Sequence, residues 1–192
     1  MDYIIPPDEL RTDAFVLRRY RPDDGPLLQE AMIECAQSPS EWLQWSQDRL
    51  SAQDAAERVR KFCARWLMAT DFLIAITALD GSRLLGGCGY HLRGNPVGNL
   101  IAECGMWVRP KRAGKGLGTE VLRALVYWGF SAWPWERIEW RCDDRNIASW
   151  RVAEKARMTL EGKLRHIRRH PDDTPRVSRI YAILRSEYAA DA

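Results

Sequence analysis

The sequence predicts an α+β fold, and two features of it carry that expectation. Short runs of alternating or continuous apolar residues read as strands, while longer segments hold apolar residues at helical spacing. Their order is the second feature: strands first, then a strand–loop–helix–strand–helix unit, then a closing strand pair. At 192 residues the chain is expected to form one domain spanning 1–192.

Phe15–Tyr20 (FVLRRY) reads as the first strand, and a polar turn leads from it into a helical segment up to residue 37. Ser38–Ser46 is a loop or helix start that contains Trp42 and Trp45. The stretch 51–69 is amphipathic, with Ala55, Val59, Phe62, Cys63 and Trp66 on one face. Two strand-like runs flank Asp80-Gly81, a strong hairpin signal. Asn99–Val108 is the next strand. A glycine loop follows it, and a helix is expected from near Thr119, with Val121, Leu122, Leu125 and Val126 as its stripe. Trp135–Cys142 alternates cleanly: Ile138, Trp140 and Cys142 face one way, Arg137, Glu139 and Arg141 the other. A second helix follows, with Asn146 as its N-cap. The segments 159–169 and 176–188 close the chain as two strands around a polar Pro-Asp-Asp turn.

Composition excludes several classes. A net charge of +3 is too small and too scattered for direct nucleic-acid binding, which needs a concentrated basic stripe. No run approaches the ~20 apolar residues of a membrane helix, and no signal peptide is expected. The five cysteines, Cys35, Cys63, Cys88, Cys104 and Cys142, are odd in number and form no CxxC pair. Neither a disulfide framework nor a metal site is expected, and a reducing cytoplasm fits that pattern.

The stretch RAGKGLGTEVL (Arg112–Leu122) carries the chemistry. It is not a P-loop, because Lys115 is followed by Gly116 instead of Ser or Thr, and Arg109 stands in place of the first glycine. It is not a dinucleotide fingerprint either, since the spacing is G-x-G-x-G and the upstream chain is hairpin-like. What remains is the physics common to both. A strand ends, glycines expose successive N–H groups, and a helix aims its positive end at the same point. Lys111, Arg112 and Lys115 add positive charge. Such a loop suits a pyrophosphate; the alternative is a flexible glycine connector between strand and helix.

Several stretches in order resemble the GCN5-related N-acetyltransferase (GNAT) superfamily, and within it the RimJ/RimL-like branch: FVLRRYRPDD, EWLQW, LLGGCGYH, AECGMWVRPKRAGKGLGTEVL and RIEWRCDDRNIASWRVAEKARMTLEGKLR. The resemblance implies a mixed, mostly antiparallel central sheet, splayed at the acyl-CoA site and flanked by helices. It implies that the pyrophosphate belongs to coenzyme A, bound as acetyl-CoA with no metal, and that Arg112–Gly118 holds it through backbone N–H groups. The cofactor-binding set is then Met106, Trp107, Val108, Lys111, Arg112, Ala113, Gly114, Lys115, Gly116, Leu117, Gly118, Thr119, Asn146 and Ser149. The family loop is usually Q/R-x-x-G-x-G; here Ala113 or Lys111 takes the first position, depending on the frame. Asn146 and Ser149 match the family's N-x-x-S element, which implies that Asn146 binds the pantetheine arm and Ser149 protonates the leaving thiolate.

The implied reaction is direct acyl transfer to a primary amine. Positioning alone supplies up to ~7–11 kcal/mol in such reactions. No cysteine has to act. The base is the open question: Glu103 lies on the central strand facing the acceptor side, His166 and His170 are substitutes, and KLRHIRRH offers no acid where some relatives place one. Glu41, Trp42 and Trp45 suit an acceptor groove. The acceptor expected is a protein or peptide N-terminal α-amine. A small amine is the close alternative, and a degenerate CoA-binding regulatory module comes from a different class. The basic run RHIRRH suits an acidic partner, and the nine tryptophans are compatible with a homodimer.

Overall fold

The computed structural model describes residues 6–38, 40–42, 50–170 and 172–190. Among these residues eight strands form one sheet in the order β1-β2-β3-β4-β5-β6-β8-β7. They are β1 (Glu9–Arg11), β2 (Val16–Arg19), β3 (Asp71–Thr77), β4 (Leu84–His91), β5 (Ile101–Val108), β6 (Arg137–Asp143), β7 (Thr159–Arg169) and β8 (Pro175–Leu184). Neighbours pair antiparallel except β5 and β6, which are parallel. A parallel pair needs a long crossover, and here it runs through α3 (Leu117–Ser131). The other helices are α1 (Gly25–Gln37), α2 (Ala52–Leu67), α4 (Ile147–Lys155) and α5 (Arg185–Ala190). The mostly antiparallel, helix-flanked sheet matches the architecture expected from the sequence. No described helix is long and apolar enough to cross a membrane.

The alternation of β3 divides the core between two faces. Phe72, Ile74 and Ile76 join the larger cluster with Tyr90, Leu122, Trp133 and Trp135. Leu73 and Ala75 face the other way, toward Leu28, Met32 and Val59 of α1 and α2. Trp133 and Trp135 stack at 5.7 Å, and Phe72 meets Trp133 edge-on at 4.8 Å. Most tryptophans are therefore structural: Trp66, Trp128, Trp133, Trp135 and Trp140 are all buried. Ser51 begins α2 with a capping box: its side chain accepts from Asp54 N–H, and Asp54 reaches back. Ala55, Val59 and Trp66 are buried along the expected face.

Three local expectations need correction. β1 precedes the strand expected to be first. It has only three residues and no alternation to reveal it, and pairing with β2 makes it a strand (Leu10 opposite Leu17). Helix α3 begins at Leu117, two residues before the expected start near Thr119. The last strand stops at Leu184, and Arg185–Ala190 is helical. The Arg185 guanidinium binds the carbonyls of Phe130, Trp133 and Trp135 at 2.6–3.0 Å, and Glu187 accepts from Leu184 N–H at 2.8 Å. Those bonds turn the chain out of the sheet.

The seam between β5 and β6 sets the site. Pairing runs from Ile101–Arg137 to Cys104–Trp140 and stops. Both strands continue, β5 bonded to β4 as far as Val108 and β6 bonded to β8 as far as Asp143. A wedge therefore opens between Gly105–Val108 and Arg141–Asp143. Gly86 and Gly87 keep β5 pressed to β4 along it. A Cβ at Gly86 would lie 2.3 Å from the Trp107 carbonyl oxygen, and one at Gly87 2.5 Å from the Trp107 indole nitrogen.

Candidate active site

A cleft of about 560 Å³ occupies the wedge, and Met106, Trp107 and Val108 form its β5 wall. The glycine loop closes one end. Among the described residues, the amides of Gly114 through Gly118 have no backbone partner. Gly114 and Gly116 adopt φ of +72° and +89°, the left-handed region that a Cβ disfavours. Gly116 is the N-cap of α3, so the helix dipole and the loose amides converge on one point. Within the expected span Arg112–Gly118, two amides are not loose. The amides of Arg112 and Ala113 are already bonded to the carbonyls of Arg109 and Pro110, at 2.9 and 3.1 Å. Arg112, Ala113, Gly118 and Thr119 do line the cleft, and Arg112, Arg151 and Lys155 are its cations, with no carboxylate among its lining residues. Lys111, Lys115 and Leu117 do not line it. Lys111 is tied through its N–H to Glu34, Lys115 is exposed on the loop, and the Leu117 side chain packs against the core.

The N-terminus of α4 supplies the second wall. Asn146 caps it: Oδ1 accepts from Ser149 N–H at 3.1 Å, which leaves the Nδ2 donors to the cleft. The helix-cap and ligand-binding readings of this residue are thus compatible. Ser149 Oγ accepts the Trp140 indole N–H at 3.1 Å, so its own hydroxyl proton remains to be donated. Beside it, burial pushes the Cys142 thiol up to about 11, against a smaller opposing hydrogen bond from Ser149. Burial also raises Cys104 far above the ordinary thiol value. Neither is a thiolate at neutral pH.

A second hollow, of about 470 Å³, shares Trp42, Met106, Trp140, Asn146 and Ser149 with the first. The two cavities meet at Ser149. Glu103 lines the second hollow, but each of its oxygens has a cationic partner: Arg93 at 2.8 Å on Oε1 and Arg141 at 3.3 Å on Oε2. Accepting a substrate proton there would disturb at least one of those contacts. His170 also lines this hollow, His91 pairs with Asp71 at 3.1 Å elsewhere, and His166 is exposed. Glu41 and Trp42 reach the hollow; Trp45 lies outside the described residues. Among the described residues no group of His, Cys, Asp or Glu is arranged to hold a metal.

Sequence reasoning missed the anchor behind the loop. Arg109 is 5% exposed and donates to Glu34 at 2.6 and 2.9 Å, to Glu30 at 3.0 Å and to the Leu84 carbonyl at 3.2 Å. Glu34 also accepts from Lys111 N–H at 3.1 Å. One carboxylate on α1 thus holds the start of the loop. Burial alone would raise the Glu34 carboxyl, but Arg109 and the Lys111 N–H outweigh it and hold it below its ordinary value. The available signal was Glu34 itself, an acid within the apolar stripe Leu28, Ala31, Met32, Cys35.

A family model described as an acetyltransferase (GNAT) domain matches residues 15–159. The uncharacterized N-acetyltransferase YoaA of Bacillus subtilis (strain 168) is 26% identical over 177 residues, covering 92% of this chain and 96% of YoaA. Among solved structures, RimL, a ribosomal L7/L12 α-N-protein acetyltransferase in complex with coenzyme A as a cysteine disulfide, superposes with a TM-score of 0.80. It is 20% identical, over 92% of this chain and 98% of that one. The microcin C7 self-immunity acetyltransferase MccE, in complex with acetyl-CoA and AMP, gives 0.77 at 17% identity, over 90% and 93% of the two chains.

Proposed function

The chain belongs to the acetyltransferase (GNAT) domain family, and from that membership we propose that it moves an acetyl group from acetyl-CoA directly onto the α-amine of a protein or peptide. The observation that carries this reading is the meeting of two cavities at Ser149. One is a cation-lined cleft with loose amides at its end, and the other is a polar hollow that reaches the same hydroxyl. The resemblance in fold to RimL, whose acceptor is a protein α-amine, supports the choice of acceptor.

In this reading the loop from Lys111 to Thr119 cradles the pyrophosphate, chiefly through the amides of Gly114–Gly118. Arg112, Arg151 and Lys155 attract the phosphates. Met106, Trp107 and Val108 flank the pantetheine arm, and Asn146 Nδ2 donates to one of its carbonyls. The Trp140 N–H orients Ser149, whose hydroxyl gives its proton to the departing sulfur. Glu103 faces the acceptor side and draws the ammonium group into the hollow. Attack is direct, which agrees with the raised thiols of Cys104 and Cys142.

The test is thiol release from acetyl-CoA with a panel of short peptides, each beside its N-acetylated twin. Peptides with free termini should turn over and the blocked twins should not. Ser149→Ala should lower kcat roughly 10²-fold. Turnover confined to small amines would reassign the acceptor. Binding of acetyl-CoA without turnover of any amine would leave a CoA-binding module.

A further inference from the structure

Resting on this acyl transfer, we propose that His170 takes the proton from the acceptor amine and that Asp143 positions the His170 ring. Asp143 ends β6 on the open arm of the wedge, and its side chain is 2% exposed. Oδ1 accepts from Arg145 N–H at 2.8 Å. Oδ2 lies 3.3 Å from His170 Nε2 and 3.0 Å from Arg176 Nε. All three atoms are buried, and none is aligned into a hydrogen bond. Buried polar atoms nearly always have partners, so three orphans in contact at one wall mark a set that functions with a ligand in place. Catalytic hydrogen bonds in unliganded sites are often long or misaligned and tighten when substrate arrives.

The location matches the task. His170 and Ser149 line the same hollow, so proton acceptor and proton donor both reach one space. A carboxylate only accepts, so the ring nitrogen facing Asp143 carries the hydrogen. That leaves the Nδ1 lone pair for the substrate. The other candidates are engaged: Glu103 by Arg93 and Arg141, His91 by Asp71. Charged groups reach His170 from every side. Asp143 comes from β6, Arg176 from β8, Arg168 and Arg169 from β7, and Asp172 from the turn. Arg93, Glu103, Arg141 and Glu41 stand elsewhere around the hollow.

The step balances. Nδ1 accepts one proton from the ammonium and releases it to solvent. The freed lone pair forms the C–N bond at the thioester carbon, whose π pair moves to oxygen. The oxygen pair then re-forms the carbonyl as the C–S bond breaks, the sulfur gains a proton from Ser149 Oγ, and the second proton lost by nitrogen restores that hydroxyl. Amide, thiol and one released proton result.

His170→Gln should lower kcat/KM for a free-terminus peptide roughly 10²–10⁴-fold near neutral pH. The deficit should shrink above the amine's own pKa of about 7.7–8.0, where the amine needs no base. Acetyl-CoA affinity should stay within about twofold. Asp143→Asn should give a smaller, similarly pH-dependent loss. Equal loss at every pH, or wild-type activity in His170→Gln, overturns the proposal. Failure of the acyl-transfer reading shows separately, as wild-type protein that turns over no amine. Nitrogen NMR of the imidazole in protein alone gives a test independent of turnover. The hydrogen should sit on Nε2 in wild type, and this preference should fall in Asp143→Asn. A hydrogen fixed on Nδ1 overturns the assignment.

Discussion

Between Ile101 and Cys104, β5 is bonded to β6; between Gly105 and Val108 the same strand has left it. The closed end is dense and apolar, with Ala102, Ile138 and Trp135 all at 0% exposure. The open end is lined by Met106, Trp107 and Val108 on one arm and by Arg141, Cys142 and Asp143 on the other, with no neighbouring strand across the gap. One pair of strands thus serves as core at one end and as the wall of an open cleft at the other. Stability should concentrate in the first and ligand affinity in the second.

Trp135→Ala should produce the largest change. It removes a fully buried ring from the stacked aromatic cluster and should lower unfolding stability by about 3–5 kcal/mol in a urea titration. Acetyl-CoA affinity of the folded fraction should be nearly unchanged. A large loss of affinity there would mean that the two ends are coupled.

Gly116→Asp attacks the open end. It puts a negative side chain on a left-handed residue beside the loose amides. Calorimetry should show acetyl-CoA binding roughly 100-fold weaker, about 2.7 kcal/mol. The strain should cost only about 1 kcal/mol of stability. Equal losses in both readings would show that the loop belongs to the core.

The smallest effect is a pH dependence at the anchor between α1 and the loop. Arg109 and the Lys111 N–H, outweighing burial, hold the Glu34 carboxyl low, so its contribution is fully present above the ordinary carboxylate value of about 4.3. It is lost as pH falls through the lowered folded value. Stability measured from pH 7 downward should therefore fall less steeply on the acid side in Glu34→Gln than in wild type. Identical slopes would remove Glu34 from the account.

Much of this molecule was legible because local rules wrote it. The Asp80-Gly81 hairpin, the alternation of Ile138, Trp140 and Cys142, and the Asn146 cap each follow from residues a few positions apart. The errors came where distant partners intervened. β1 exists because β2 lies beside it, and the last strand stops where Arg185 meets the end of α3. Glu34 holds the Lys111 backbone from 77 residues away, a contact that no local pattern announces.

The sequence by itself determined the element types, the glycine loop at a helix start and the N-x-x-S cap, because dihedral freedom, periodicity and capping act within one or two turns of chain. Only the tertiary structure decided that β5 and β6 part after Cys104, that Glu34 braces the loop, and that Asp143 and His170 line the same hollow as Ser149. Those outcomes depend on which remote groups are buried against one another, and the energy of such contacts is fixed by packing and charge in space.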